Sequence, residues 1–146
     1  MSTFMQAQIM LTFANLLITG APLIADLNKT HATNPLWIGH ARFHVVWQVL
    51  SYGCLGLLNM YIIWRKPSSE SLAVSCAILA CIIIGFFSAA FSVKRFGGAF
   101  YDEKGYLPFA HRTIMGRHVE FDVNAVGFSF FGLILMIAAA MSFYAP

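Results

Sequence analysis

Charged residues are scarce in this chain of 146 residues, because lysine, arginine, aspartate and glutamate together make up only 10% of it. Soluble domains carry about 25% charged and about 45–50% apolar residues, whereas 59% of this sequence is hydrophobic. The shortage of charge excludes an ordinary soluble bundle and indicates a chain dissolved in lipid. The formal net charge of +3 is small, so the composition gives no reason to expect a nucleic acid partner.

Cysteine is also rare, and several catalytic signatures are missing. Cys54, Cys76 and Cys81 all fall within apolar runs, which predicts small buried hydrophobic side chains and not a disulfide framework. The sequence contains no G-x-S-x-G, no glycine-rich phosphate loop, no C-x-x-C and no C-x-x-C-H haem attachment signal. The chemistries that depend on those motifs are therefore not expected.

Four apolar runs are long enough to cross a bilayer, for which about 20 residues are needed. They comprise residues 4–25, 39–64, 71–91 and 121–144. The runs predict an all-α fold in which one domain, residues 1–146, forms a polytopic bundle of four transmembrane helices. Because no lysine or arginine precedes the first run and it is long for a signal peptide, we expect a mature helix there. Pro22, near its end, predicts a kink.

Basic residues are distributed unequally between the two ends of the predicted bundle. Four crossings place both termini, and the link between helices two and three, on one side of the membrane. Seven of the nine basic residues lie on the opposite side. They are Lys29, Arg42, Lys94, Arg95, Lys104, Arg112 and Arg117. The positive-inside rule therefore predicts that this side is cytoplasmic and that both termini are external, as in a bacterial inner-membrane protein.

The histidines cluster on the same predicted cytoplasmic side. His40 and His44 are four residues apart at the start of the second helix, so they share one helical face. Trp47 continues this face, and we expect it either to wall an apolar substrate or to pack against the third helix. Arg42 is expected either to anchor the helix at the interface or to bind a substrate or cofactor. His31 and His111 lie in predicted loops and are weaker candidates.

The connection between the third and fourth crossings has a pattern of its own. The sequence AFYDEKGYL, residues 99–107, has aromatic strand formers around a turn and predicts a short hairpin. Pro108 then suits the first turn of a helix. One helical stripe on that helix comprises His111, Met115, His118 and Asp122. The segment is therefore predicted to be a hairpin followed by an amphipathic helix, which together form a lid over one end of the bundle.

Two i, i+4 pairs, His40/His44 and His118/Asp122, are thus expected at the same membrane interface, with Asp26 of the first helix at a similar depth. Helical bundles build metal sites from side chains on facing helices in this way. Imidazole suits zinc and iron, and two histidines plus one carboxylate are typical of mononuclear iron oxygenases. We predict that the two pairs bind iron or zinc and that Asp26 serves as a further ligand or base. These five residues form the predicted catalytic set.

Other small or polar residues predict packing contacts between helices. Gly53 and Gly56 are small enough to let two helices approach closely, and Asn59 is expected to form an interhelical hydrogen bond inside the membrane. The histidines also have a simpler interpretation, because an imidazole at the membrane interface can rest on lipid and reach water or a lipid phosphate.

The segment from Thr30 to His44 reads THATNPLWIGHARFH. It resembles a signature, T-H-x-T-N-P-x-W-x-x-H-A-R-F-H, of small four-helix membrane proteins of the broad DoxX-like kind. The resemblance covers about residues 26–48, with agreement in size and helix number over the rest of the chain. It implies a helical membrane fold without a settled activity, so it assigns no catalytic residue.

Three functions are compatible with these patterns. The first is a metal-dependent membrane oxidoreductase that acts on a hydrophobic small molecule. The second is a metal-free isomerase, in which a histidine and aspartate set beside Trp47 performs acid–base chemistry on a sterol- or quinone-like ligand. The third is a non-enzymatic accessory subunit whose interfacial charges bind lipid or a larger membrane complex. The expected partners are the bilayer, a hydrophobic small molecule or lipid, and further copies of the chain or another membrane protein.

Overall fold

The computed structural model describes residues 1–65, 67–101 and 110–144, with only the backbone for residues 111 and 117–120. Its long helices are α1 (Thr3–Asp26), α2 (Gly39–Arg65), α3 (Ser69–Ser92) and α4 (Val123–Phe143). Each is long and apolar enough to cross a membrane, which confirms the predicted all-α bundle of four transmembrane helices. Each helix also begins and ends within two residues of its predicted bounds. The chain is therefore an integral membrane protein.

The helix α1 changes type in its second half. A π-helical segment, Leu16–Gly20, directly precedes the turn that contains Pro22. Proline lacks an N–H group, and in a regular helix its ring would collide with the carbonyl group four residues earlier, here that of Ile18. The wider π-helical turn accommodates this carbonyl group, so the helix continues through Pro22 to Asp26. The disturbance predicted at Pro22 is thus a π-helical turn immediately before it.

The four helices are arranged around a core that lies mainly between α1, α3 and α4. Both α1 and α3 pack against α2 and α4, so the described helices α2 and α4 lie diagonally across the bundle. Fully buried core residues include Leu11 and Ile18 of α1 and Leu79 of α3. Large apolar side chains such as Leu57 and Phe130 point outward, as expected for helix faces that contact lipid.

Polar side chains connect α1 to α2 inside the bundle. Gln8 Nε2 donates to the carbonyl oxygen of Ile63 at 2.9 Å, and Asn15 Nδ2 donates to that of Gly56 at 3.1 Å. Asn59 Nδ2 donates to Asn15 Oδ1 at 3.1 Å, which confirms the interhelical hydrogen bond predicted for Asn59. Because lipid offers no partner to a polar group, these bonds fix how α1 and α2 pair.

A β-hairpin precedes α4. Its strands are β1 (Ala110–Ile114) and β2 (Arg117–Phe121), which pair antiparallel. The two loop residues, Met115 and Gly116, have φ angles of 49° and 76°. Positive φ at both central residues is the requirement of a type I′ turn, which matches the twist of the strands it joins. Glycine meets this requirement at position 116 without steric cost.

The hairpin corrects the helix that we predicted before the fourth crossing. His118 lies on β2 opposite Thr113, and Asp122 is the residue that caps α4, so these two residues do not share the face of a helix. The prediction that His111, Met115, His118 and Asp122 form one stripe of a helix is therefore wrong. The hairpin predicted for residues 99–107 falls mostly on residues 102–109, which lie outside the described residues, and the lid remains a prediction.

Candidate functional site

The histidine pair of α2 lies on the outer surface of the bundle. His40 Nε2 and His44 Nε2 are 3.1 Å apart, and their rings meet edge to face with centroids 4.5 Å apart. Phe43 and Trp47, beside them, are 60% and 58% exposed. The shared face that the sequence predicts is thus confirmed, but the face is directed away from the other helices. Arg42 is partly buried, and its binding role remains a prediction.

Asp122 has a clear structural role at the start of α4. Its Oδ1 accepts a hydrogen bond from the N–H group of Ala125 at 2.9 Å, which satisfies one of the free N–H groups of the first helical turn. The residue is only 7% exposed, and within the described part of the chain its buried Oδ2 accepts no hydrogen bond. The negative charge also lies favourably at the positive end of the helix dipole.

The metal site predicted from His40, His44, His118 and Asp122 is therefore not assembled by the side chains that the structure describes. Among those side chains, no three histidine, cysteine, aspartate or glutamate residues lie close enough to hold one metal ion. The side chain of His118 is not among those that the structure describes. Binding of iron or zinc by these four residues remains a prediction.

A different group of residues surrounds a cavity between the four helices. The cavity has a volume of about 380 Å³ and lies where α1 ends and α4 begins. Its walls are mostly apolar and include Phe86, Phe128 and Phe131. The polar residues in the wall are Asp26, His31, Gln48, Tyr52 and Asn124. Size, apolar walls and a few polar groups are typical of small-molecule sites, which usually measure about 300–1,000 Å³.

Glycines keep part of this cavity open. Gly85 of α3 and Gly127 of α4 both belong to its wall. A Cβ atom at position 85 would meet no other atom within 4 Å, and one at position 127 would meet only the ring of Phe131, at 3.9 Å. Larger side chains at these two positions would therefore occupy the space and not clash with the helices.

Asp26 and His31 form a pair in the cavity wall. His31 Nδ1 lies 3.7 Å from Asp26 Oδ1 and 2.8 Å from Thr30 Oγ1. Both side chains are largely buried, with exposed fractions of 16% for His31 and 24% for Asp26. The carboxylate and the imidazole thus lie within ion-pair distance of each other.

Hydrogen bonds in the loop after α1 determine which nitrogen of His31 carries the proton. Asn28 Nδ2 donates to the carbonyl oxygen of Ala25 at 2.8 Å, which fixes the orientation of its amide. Asn28 Oδ1 accepts from the Thr30 hydroxyl at 2.7 Å. A hydroxyl group has only one hydrogen, so Thr30 Oγ1 must accept from His31. Nδ1 of His31 therefore carries a hydrogen, which is directed toward Thr30 and Asp26.

The rest of this loop holds His31 in position. Asn34 is 1% exposed. It donates through Nδ2 to the carbonyl oxygen of Thr30 and accepts through Oδ1 from the N–H group of Leu36. The ring of Trp37 meets that of His31 edge to face, with centroids 5.2 Å apart. The residues of the T-H-x-T-N-P-x-W segment thus build a compact turn, and one consequence of this turn is the approach of His31 to Asp26.

Gln48 and Tyr52 add hydrogen-bonding groups from α2. They lie one helical turn apart, and Gln48 Nε2 donates to Tyr52 Oη at 3.1 Å. Within the described residues no acceptor is assigned to the Tyr52 hydroxyl hydrogen, so it can be donated to a ligand oxygen. Sequence reasoning did not select Gln48, Tyr52 or Asn124. Two polar residues at i, i+4 within a mostly apolar stretch of α2 were the available signal.

Comparison of the chain with protein-family models, with curated proteins and with solved structures gave no match. The similarity of residues 30–44 to DoxX-like proteins is therefore untested. The cavity and the five polar side chains in its wall remain the features of the described chain that indicate a function.

Proposed function

We propose that this membrane protein binds a hydrophobic ketone or related sterol- or quinone-like molecule between its helices and catalyses proton transfer on it. The supporting observation is the Asp26–His31 pair in the wall of an otherwise apolar cavity. Ionisable side chains in membrane helices are costly, and they commonly mark functional sites. A cavity with few polar groups binds an apolar molecule and fixes its orientation.

The residues of the cavity would have separate tasks. Phe86 and Phe128 stack with their ring planes 5° apart and their centroids 4.1 Å apart, and they offer apolar surface to a ring system. The Tyr52 hydroxyl would donate to the ligand oxygen. The Asp26–His31 pair would accept a proton from a carbon beside the carbonyl group and return it at another carbon, so the reaction needs no oxidant. A carboxylate base with a phenol donor is an effective arrangement for enolising ketones.

We also propose an orientation for the molecule. The topology predicted from the sequence places seven of the nine basic residues at the end of the bundle that contains the cavity. The positive-inside rule would direct that end to the cytoplasm of a bacterial cell. The ketone would then enter from the cytoplasmic half of the inner membrane.

An isomerisation assay tests the proposed chemistry. A β,γ-unsaturated 3-ketosteroid in detergent micelles becomes a conjugated enone when one proton moves, and the product is measured by its ultraviolet absorbance. We expect the wild-type protein to accelerate this conversion, and we expect Asp26→Asn to reduce the acceleration by about a hundredfold or more, because general acid–base catalysis contributes about 10²–10⁴-fold.

The matched control is Thr33→Asp, which places a carboxylate at an exposed position of the same loop. This substitution combined with Asp26→Asn keeps the net charge and should not restore activity. A wild-type rate equal to that of empty micelles, for steroids and for other hydrophobic ketones, would contradict the proposed acid–base function.

A further inference from the structure

We infer that His40 and His44 form a separate site that binds a divalent transition-metal ion, Cu²⁺ or Zn²⁺, on the outer surface of the bundle. The site consists of two side chains on the first turns of α2 and does not share a residue with the cavity. It differs from the predicted four-ligand site because it requires neither His118 nor Asp122. It also does not depend on the proposed function of the cavity.

The distance between the two nitrogens suits one metal ion. His40 Nε2 and His44 Nε2 lie 3.1 Å apart. Two nitrogen ligands of a tetrahedral zinc ion, each about 2.0–2.1 Å from the metal, lie about 3.3 Å from each other. The observed separation differs from this value by a few tenths of an ångström, so small rotations of the side chains bring both nitrogens to bonding distance. The backbone of α2 need not move.

The hydrogen bond between His40 and His44 in the absence of metal is consistent with metal binding by the pair. Because the two Nε2 atoms lie within hydrogen-bonding distance, one of them carries a hydrogen and the other accepts it. On metal binding, the ring that carries this hydrogen would change tautomer, so that the hydrogen passes through water to its Nδ1, and the ion would bind the lone pairs of both Nε2 atoms. Neutral imidazole is a good ligand for zinc and copper, and copper binds most tightly among the divalent first-row ions.

The surroundings of the pair favour an accessible site of moderate affinity. Both histidines are exposed, so water or the phosphate oxygens of lipid can fill the remaining coordination positions. The ring of Phe43 lies parallel to that of His40 at 6.5 Å, and the ring of Trp47 lies 5.8 Å from that of His44. Aromatic rings thus flank both imidazoles on the same face of α2.

A copper titration of the full-length protein, purified without a polyhistidine tag, tests the inference. We expect electron paramagnetic resonance to show Cu²⁺ coordinated by two imidazole nitrogens. We expect His44→Gln to weaken copper binding by about a hundredfold, because two ligands on one helix act as a chelate with a high effective concentration. The same loss is expected for His40→Gln, whereas His31→Gln should leave the copper affinity unchanged.

Circular dichroism should show that the His40 and His44 variants keep their helical content, since both side chains are exposed. Copper affinity that is equal in wild type and in the His40→Gln/His44→Gln double variant would overturn the inference. A loss in His118→Gln as large as that in His44→Gln would also overturn it, because the ion would then be held by a larger set of ligands.

Discussion

Replacing Gly56 with alanine is expected to lower the free energy of unfolding by about 1–3 kcal/mol, the usual cost of overpacking a tight contact. A Cβ atom at this position would overlap Thr19 Oγ1 of the neighbouring helix. The Thr19 side chain cannot easily move away, because its hydroxyl donates to the carbonyl oxygen of Asn15 at 2.7 Å. Any separation of α1 and α2 would also strain the bond from Asn15 to Gly56.

This effect is measured by unfolding the protein with SDS in mixed micelles and following its circular dichroism. Gly53→Ala is the matched control one turn earlier, where a Cβ atom would lie 3.3 Å from the flexible end of Leu23. Gly53→Ala should change stability little, because the mild crowding at Leu23 is offset by the higher helix propensity of alanine, which is about 1 kcal/mol relative to glycine. Thr19→Ala should recover much of the loss caused by Gly56→Ala. Equal stability of wild type and Gly56→Ala would show that the two helices are not in close contact here.

Replacing Asn15 with leucine is expected to cost about 1–2 kcal/mol in the same assay. The substitution removes the acceptor of Asn59 Nδ2 and the donor to the Gly56 carbonyl oxygen. Asn59 is fully buried, and its Oδ1 already has no partner within the described residues. A buried polar group without a partner costs about 1–3 kcal/mol, and hydrogen bonds between membrane helices contribute up to about 1.7 kcal/mol.

Replacing both asparagines separates the hydrogen bond from the cost of an unpaired group. Asn15→Leu/Asn59→Leu should be more stable than Asn15→Leu alone, since no polar side chain then remains unpaired. Gln6→Leu, at an exposed position of the same helix, should change stability by less than about 0.5 kcal/mol. If the double variant were less stable than the single one, the Asn15–Asn59 bond would not be the source of the effect.

The transmembrane helices could be predicted from the sequence because lipid imposes one requirement. Every span needs about 20 apolar residues, and this requirement identified all four helices to within two residues. The close approach at Gly56 and the hydrogen bond of Asn59 were also predictable, because small and polar residues inside a membrane have few other uses. These contacts depend on residue type and depth, both of which the sequence provides.

The hairpin before α4 could not be distinguished from a helix in the same way. His111 and His118 are seven residues apart, a spacing that fits two helical turns as well as two strands joined by a short loop. Gly116 was the signal against the helix. The preceding Met115 obscured the turn, because methionine rarely adopts the positive φ that a type I′ loop requires. The β-branched residues Thr113, Ile114 and Val119 favour strands.

The candidate site was predicted only in part. The sequence placed Asp26 and the histidines at one end of the bundle, but spacing along a helix does not reveal whether a face is directed inward or outward. His40 and His44 lie outside, whereas His31 reaches Asp26 because Asn28, Thr30 and Asn34 fold the loop through hydrogen bonds. Such contacts depend on the conformation of the loop and have no periodicity that a sequence pattern could reveal.

The most direct measurement is ligand binding in the cavity, reported by Trp37, whose ring lies beside His31. The chain has three tryptophans, so Trp47→Phe/Trp64→Phe leaves Trp37 as the only fluorescent indole. In micelles that contain this double variant, decylubiquinone should quench the fluorescence of Trp37, and the quenching should saturate.

Gly85→Leu, which fills the cavity, should weaken the binding of decylubiquinone by about tenfold or more, equivalent to at least about 1.4 kcal/mol. Cys81→Leu, at an exposed position one turn earlier, should not. Quenching that rises linearly without saturation and is the same in all three proteins would contradict a ligand site between the helices.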